Sequence, residues 1–144
     1  DLAEAAVAKV AKALKLPVSI CKRMPFPGPA LAARVVGEVT PDRVELVRKA
    51  TAIVESELKN VKAFQLMAIL HEDRFAGMRN GCRDYGFQIE VRCWSSVDAR
   101  EAKPVWLPHR ALQRLASRIT KEVPGVVSVT YNIASKPPST LEAV

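Results

Sequence analysis

Near the end of this chain Lys136 stands in Ser135-Lys136-Pro137-Pro138-Ser139-Thr140. An ammonium among hydroxyls, held extended by the prolines that follow it, can grip an anion such as a phosphate. The same residues also read as a solvated polar end. A second cation, Arg83, follows the turn-forming pair Asn80-Gly81 and sits beside Asp84. Its guanidinium can take a phosphate bidentately, or pair with the neighbouring acid as an ordinary surface group. A third candidate is Arg23-Met24-Pro25-Phe26-Pro27-Gly28-Pro29-Ala30. Its alternating prolines stiffen the backbone and Gly28 admits close approach. The strip reads either as an ordered linker or as a platform presenting carbonyls and the Phe26 ring to a planar base. Arg110, Arg114, Arg118 and Lys121 recur at helical spacing, as either a phosphate-tracking face or the wet side of an amphipathic helix. The GxxG clamp and the aromatic sheet motif of common RNA-binding modules are missing, which argues against nucleic acid as partner.

Other chemistry finds little support. Glu38, Glu55, Glu57, Glu72, Asp73 and Asp84 form no recognisable acid–base pair. Cys21, Cys82 and Cys93 are an odd set without CxxC spacing, which points to free thiols in a reducing, cytoplasmic setting. Two histidines, His71 and His109, are too few and too scattered for zinc. No glycine-rich phosphate loop occurs. Neither catalytic nor metal-ligating residues are therefore assigned. The net charge of +7 favours anionic partners without choosing among them. An apolar content of 49% suffices for a core, and no apolar run is long enough to cross a membrane.

The elements that must position these groups can be read from periodicity. Leu2 to Lys15 is Ala-rich with helical spacing, and Pro17 ends it. Residues 17–30 form a Pro-rich arm, and Ala33–Val39 reads as a strand. Thr40-Pro41-Asp42 opens a helix reaching residue 58. Ala63–Leu70 is apolar on both faces apart from Gln65, which suits a strand covered on one side by helices and on the other by a partner chain. Arg79-Asn80-Gly81 is a turn, and Gly86–Trp94 alternates as a half-buried strand. Residues 95–106 read as an irregular loop. Pro108 starts a helix with the apolar stripe Leu112, Leu115, Ala116, Ile119 and Val123, stopped by Pro124-Gly125. Val127 to Ile133 forms the last strand. The expected fold is α+β, a two-layer sandwich of β-α-β-β-α-β order. Its helices cover one face of a small, mainly antiparallel sheet, and an N-terminal helix and Pro-rich arm precede it. One sheet face would stay bare unless the protein dimerises.

Several of these segments, in this order, resemble the C-terminal dimerisation domain of GMP synthases. They are Arg23–Pro29, Val36-Gly37-Glu38-Val39, Cys82-Arg83-Asp84-Tyr85, Arg118-Ile119 with Glu122–Val126, and Tyr131 through Ser135–Glu142. The resemblance covers nearly the whole chain. It implies residues 1–30 as the remnant of a link to an ATP pyrophosphatase domain, and 31–144 as a domain that pairs with itself and helps bind xanthosine monophosphate (XMP). Phe26, Pro27 and Gly28 would then lie against the purine. Arg83 and Lys136 would meet the phosphate, with Thr140 and Glu142 on phosphate and ribose. The family's Ser-Gly-Gly-Val-Asp-Ser motif and glutaminase residues do not occur in these residues. No cofactor is therefore expected on this chain: ATP and magnesium would belong to a separate pyrophosphatase domain, and ammonia to a glutaminase subunit. Departures include Ala30, Lys62, Asp84 beside Arg83, and the Ala143-Val144 ending. They motivate an alternative: a diverged, non-catalytic dimeric module for nucleotide binding or protein interaction.

Overall fold

Thr40 is extended, its Oγ1 accepts the Arg43 N–H at 3.3 Å, and Pro41 takes the first helical position, where a missing N–H costs nothing. The computed structural model describes residues 2–17, 31–97 and 99–144. Within them α1 spans Leu2–Ala13 and α2 spans Pro41–Glu57. Strands β1 (Gln65–Arg79) and β2 (Cys82–Ser96) follow, then β3 (Ala102–Pro104), α3 (His109–Glu122) and β4 (Val126–Tyr131). The two long strands form one antiparallel hairpin. Its two-residue turn puts Asn80 at φ 52° and Gly81 at φ 78°, the left-handed geometry these residue types accept at least cost.

β2 is the spine of the sheet. β1 lies along one edge, antiparallel from Gln65↔Trp94 to Arg79↔Cys82. The other edge is shared by two short strands: β4 runs parallel beside Phe87–Val91, and β3 runs antiparallel beside Trp94–Ser96. Alternation then sorts the side chains. Leu66, Ala68 and Leu70 of β1 and Ile89, Val91 and Cys93 of β2 face the helices. They meet Val47, Ala50, Ile53 and Val54 of α2 and Leu115 and Ile119 of α3 in one core. Leu115 and Ile119 are essentially inaccessible, each contributing roughly 1.5–3 kcal/mol through burial. Two helices on one face of a mainly antiparallel sheet make the α+β two-layer arrangement expected from the pattern.

Three expectations need correction. Ala33–Val39 is not a strand. Ala32–Arg34 is a 3₁₀ turn, and only Val35 bridges Leu70, in parallel. Gly37 at φ 87° breaks the extended run. The Arg43 guanidinium donates to Val36 O at 2.9 Å and Glu38 O at 2.6 Å, taking the acceptors a neighbouring strand would need. Second, residues 95–106 are not wholly irregular, because β4 ends at Val91's partner and leaves the far edge of β2 open for β3. Third, Met67 and Ile69, on the face away from the helices, are 2% and 0% exposed within a single chain. Apolarity on both sides of β1 therefore does not by itself require a second copy.

Candidate functional site

On the face away from the helices β2 presents Gln88, Glu90, Arg92 and Trp94 in alternation. Glu90 is buried, and three groups converge on its carboxylate. Oε1 accepts Arg92 Nε at 2.5 Å and Asn132 Nδ2 at 2.9 Å, while Oε2 lies 2.8 Å from His71 Nε2. Burial pushes this carboxyl upward, but hydrogen bonds from Arg92, Asn132 and His71 outweigh it and hold the group below the usual carboxylate range.

The C-terminal segment folds back onto this face. Lys136 pairs with Ala102 of β3, donating its N–H to Ala102 O at 2.8 Å and accepting Ala102 N–H at 3.1 Å. Its Nζ donates to Ala99 O at 2.9 Å. That contact is to a neutral carbonyl and uses one of three ammonium donors, so the charge is positioned without being cancelled. Further along, Leu141 is buried against Trp94 and Ala102. Arg92 Nη1 donates to Thr140 O at 3.0 Å and Glu142 O at 3.3 Å, and Thr140 Oγ1 donates to Glu142 O at 2.9 Å. The side chains of Thr140 and Glu142 stay exposed. A solvated, frayed end is thus excluded: the tail is tied down at both Lys136 and Leu141. Beside Ala102 opens a cleft of about 650 Å³ lined by Ser95, Ser96, Arg100, Glu101 and Lys103.

Arg83 lies elsewhere. It is exposed at the hairpin tip, its guanidinium 5.6 Å from the Tyr85 ring centre. Asp84 does not neutralise it: Oδ2 pairs with Arg79 Nε at 3.3 Å, and Oδ1 accepts the Tyr85 N–H. Lys136 is attached at the opposite end of β2, where Ser96 pairs with Ala102. At about 3.3 Å per residue, Arg83 and Ser96 are roughly 40 Å apart along the strand. One chain therefore brings Lys136, Thr140 and Glu142 together but leaves Arg83 remote. Phe26, Pro27 and Gly28 lie outside the described residues, as does the rest of the Pro-rich strip.

Two residues of the basic helix stripe have a structural role. Arg114 Nε and Arg118 Nη1 both reach Glu57 of α2 at 3.0 Å, and Arg118 also pairs with Glu122 at 2.7 Å, so these two of the four cations stitch α3 to α2. Among the described residues, no group of three or more His, Cys, Asp and Glu side chains could hold a metal ion. Nor is any described helix long and apolar enough to cross a membrane. Sequence reasoning passed over Glu90, Arg92, His71 and Asn132. The available signal was an acid and an arginine two apart on the polar face of an alternating strand.

Comparison with known proteins agrees with the resemblance. The profile of the GMP synthase C terminal domain matches residues 51–143. One of the subunits of the glutamine-hydrolysing GMP synthase of Thermococcus kodakarensis is 46% identical over 144 residues, covering 99% of this chain and 47% of that protein. The subunit of the same name in Methanocella arvoryzae is 46% identical over 143 residues, with coverages of 99% and 47%. The glutamine-hydrolysing GMP synthase of Pyrobaculum aerophilum is 44% identical over 140 residues, covering 94% of this chain and 28% of that protein. The chain thus spans less than half the length of these relatives. It belongs to the GMP synthase C-terminal domain family.

Proposed function

We propose that this chain is the nucleotide-facing, self-associating part of a GMP synthase in purine nucleotide synthesis, and that it binds XMP rather than transforming it. The observation that carries this reading is the tail. The family's Lys136–Glu142 motif is fixed to the sheet at both ends, with the Lys136 charge in place and the Thr140 and Glu142 side chains outward. Lys136 would hold the nucleotide phosphate, Thr140 and Glu142 the phosphate and ribose, and Phe26, Pro27 and Gly28 the purine. Arg83 would complete the phosphate site from a second copy, because one chain holds the two cations at opposite ends of β2. Met78 and Tyr85, 71% and 59% exposed on the same hairpin, offer apolar area for such pairing. This chain's residues bind and orient; activation of XMP with ATP and magnesium, and release of ammonia from glutamine, belong to other domains or subunits. The names of the relatives, glutamine-hydrolysing and divided into subunits, support a glutaminase partner.

Calorimetry with XMP on the complete protein that carries this chain tests the reading. A charge-assisted contact nets roughly 1.5–3 kcal/mol, so Lys136→Ala and Arg83→Ala should each weaken binding about 10- to 100-fold. Mixing the two variants discriminates the geometry. In a mixed pair, one site keeps both cations and the other loses both, so random exchange restores about a quarter of the sites. No recovery on mixing would place both groups in one chain or remove one of them from the site. No XMP binding by the unaltered protein would refute the reading itself.

A further inference from the structure

We infer that Glu90 and Arg92 form a latch that sets the place of the C-terminal tail, making Arg92 a positioning residue for whatever the tail binds. Glu90 comes first in this chain of contacts. It is 9% exposed, and its carboxylate is fixed from His71 on β1 and from Asn132 just past β4, so it cannot swing with the surface. Arg92, two residues along the same face, gives Nε to Glu90 and is thereby oriented. The guanidinium is planar, so fixing Nε fixes the direction of the remaining donors. Nη1 then reaches two tail carbonyls, those of Thr140 and Glu142.

Between those carbonyls Leu141 points inward onto Trp94 and Ala102. The three consecutive residues 140–142 are thus clamped in alternation, backbone to Arg92 and side chain to the apolar cluster. Only the Thr140 and Glu142 side chains are left facing out. Lys136, tied separately to Ala102, closes the other end of a short strap. The latch recognises carbonyls rather than side chains, so it governs position and leaves ligand contacts to the strap's own groups. It touches no ligand itself. Its link to XMP rests on the reading proposed above; the latch stands without it.

Amide hydrogen exchange on the complete protein tests this, with XMP affinity measured in parallel. Losing a charge-assisted bond to two carbonyls should speed exchange of the tail's hydrogen-bonded amides, Ser139 (to Ser135 O) foremost, about 10- to 100-fold in Arg92→Gln. Amides in α2 and in the β1–β2 ladder at Leu66–Leu70 should keep their protection. Arg92→Lys, which keeps charge but not the fork, should fall between. Glu90→Gln, which leaves Arg92 in place but loosens its orientation, should open the same amides to a smaller extent. Affinity for XMP should fall in step with tail opening across the series, while phosphate-only contacts through Arg83 stay intact. Unchanged tail exchange in Arg92→Gln would overturn the latch. So would a parallel loss of protection throughout the sheet in all three variants, which would make Arg92 a core residue. If the unaltered protein binds no XMP, the exchange series still decides the latch, and only the functional reading falls.

Discussion

Replacing Gly86 by alanine puts a methyl group where the chain has no room. The added Cβ would lie 2.4 Å from Gly125 O and 2.5 Å from Val127 Cγ1, at the point where the chain enters β4. A side chain can rotate away, but a backbone carbonyl cannot. Reaching ordinary contact needs a shift of about 1 Å in residues 125–127. That carbonyl accepts the Phe87 N–H at 2.8 Å, and Val126, in register with Phe87, is 1% exposed. Overpacking of this kind costs about 1–3 kcal/mol, and the strained or lost hydrogen bond adds about 1 kcal/mol. Reduced freedom of the unfolded chain returns about 0.5 kcal/mol, leaving a net loss of about 1.5–3.5 kcal/mol. Two sister glycines calibrate the claim. At Gly77 the nearest atom is Val127 Cβ at 2.7 Å, which rotation of that side chain cannot move, so alanine should cost about 1–3 kcal/mol there, without the added hydrogen-bond loss. At Gly81 nothing lies within 4 Å but φ is 78°, so alanine should cost only the left-handed penalty of about 1 kcal/mol. Urea unfolding of the three variants at unchanged m-value measures the order. A Gly86→Ala cost no greater than that of Gly81→Ala would refute the packing argument at the β4 entry.

Two further outcomes follow from the ionisable groups. Glu90 is held below its ordinary range, so the unfolded chain takes up its proton first as pH falls. Its contribution is full above the unfolded carboxylate value, near pH 4.3, and is lost as pH drops through the lower folded value. Tail protection followed by exchange from pH 6 downward should therefore persist down through the ordinary carboxylate range and fall only below it, and Glu90→Gln should flatten that profile. Burial pushes the Cys93 thiol up to about 11, whereas Cys82 is exposed at the hairpin tip. A maleimide at neutral pH should modify Cys82 and spare Cys93, as read by peptide mass; equal labelling would contradict the burial of β2's inner face.

What could be read from the residues was mostly local. Thr40-Pro41 and Asn80-Gly81 carry their conformations in their own chemistry, and both formed as expected. The alternation of Gly86–Trp94 assigned each side chain to its face. Ala33–Val39 misled because its fate depends on Arg43, whose guanidinium occupies the carbonyls of that segment. β3 has three residues, too few for any period, and exists because β4 stops short along β2. The tail was legible as a motif but not as a structure. Leu141 shows no pattern in a Pro-rich run, and its partners Trp94 and Ala102 are distant in sequence. Arg92 was equally hidden, since its acceptors are backbone atoms that no residue type advertises.

The direction of β4 has a consequence for stoichiometry. Because this strand runs parallel to β2, the chain leaving Tyr131 is already travelling away from the hairpin turn, and it arrives at Ala102 without reversing. An antiparallel β4 would deliver the same tail to the Arg83 pole and let one molecule close a two-cation clasp alone. On the reading proposed above, and with the polarity observed, a clasp that uses both Lys136 and Arg83 needs two chains. Pairing would then be written into the order of the strands and not left to the strength of a contact surface.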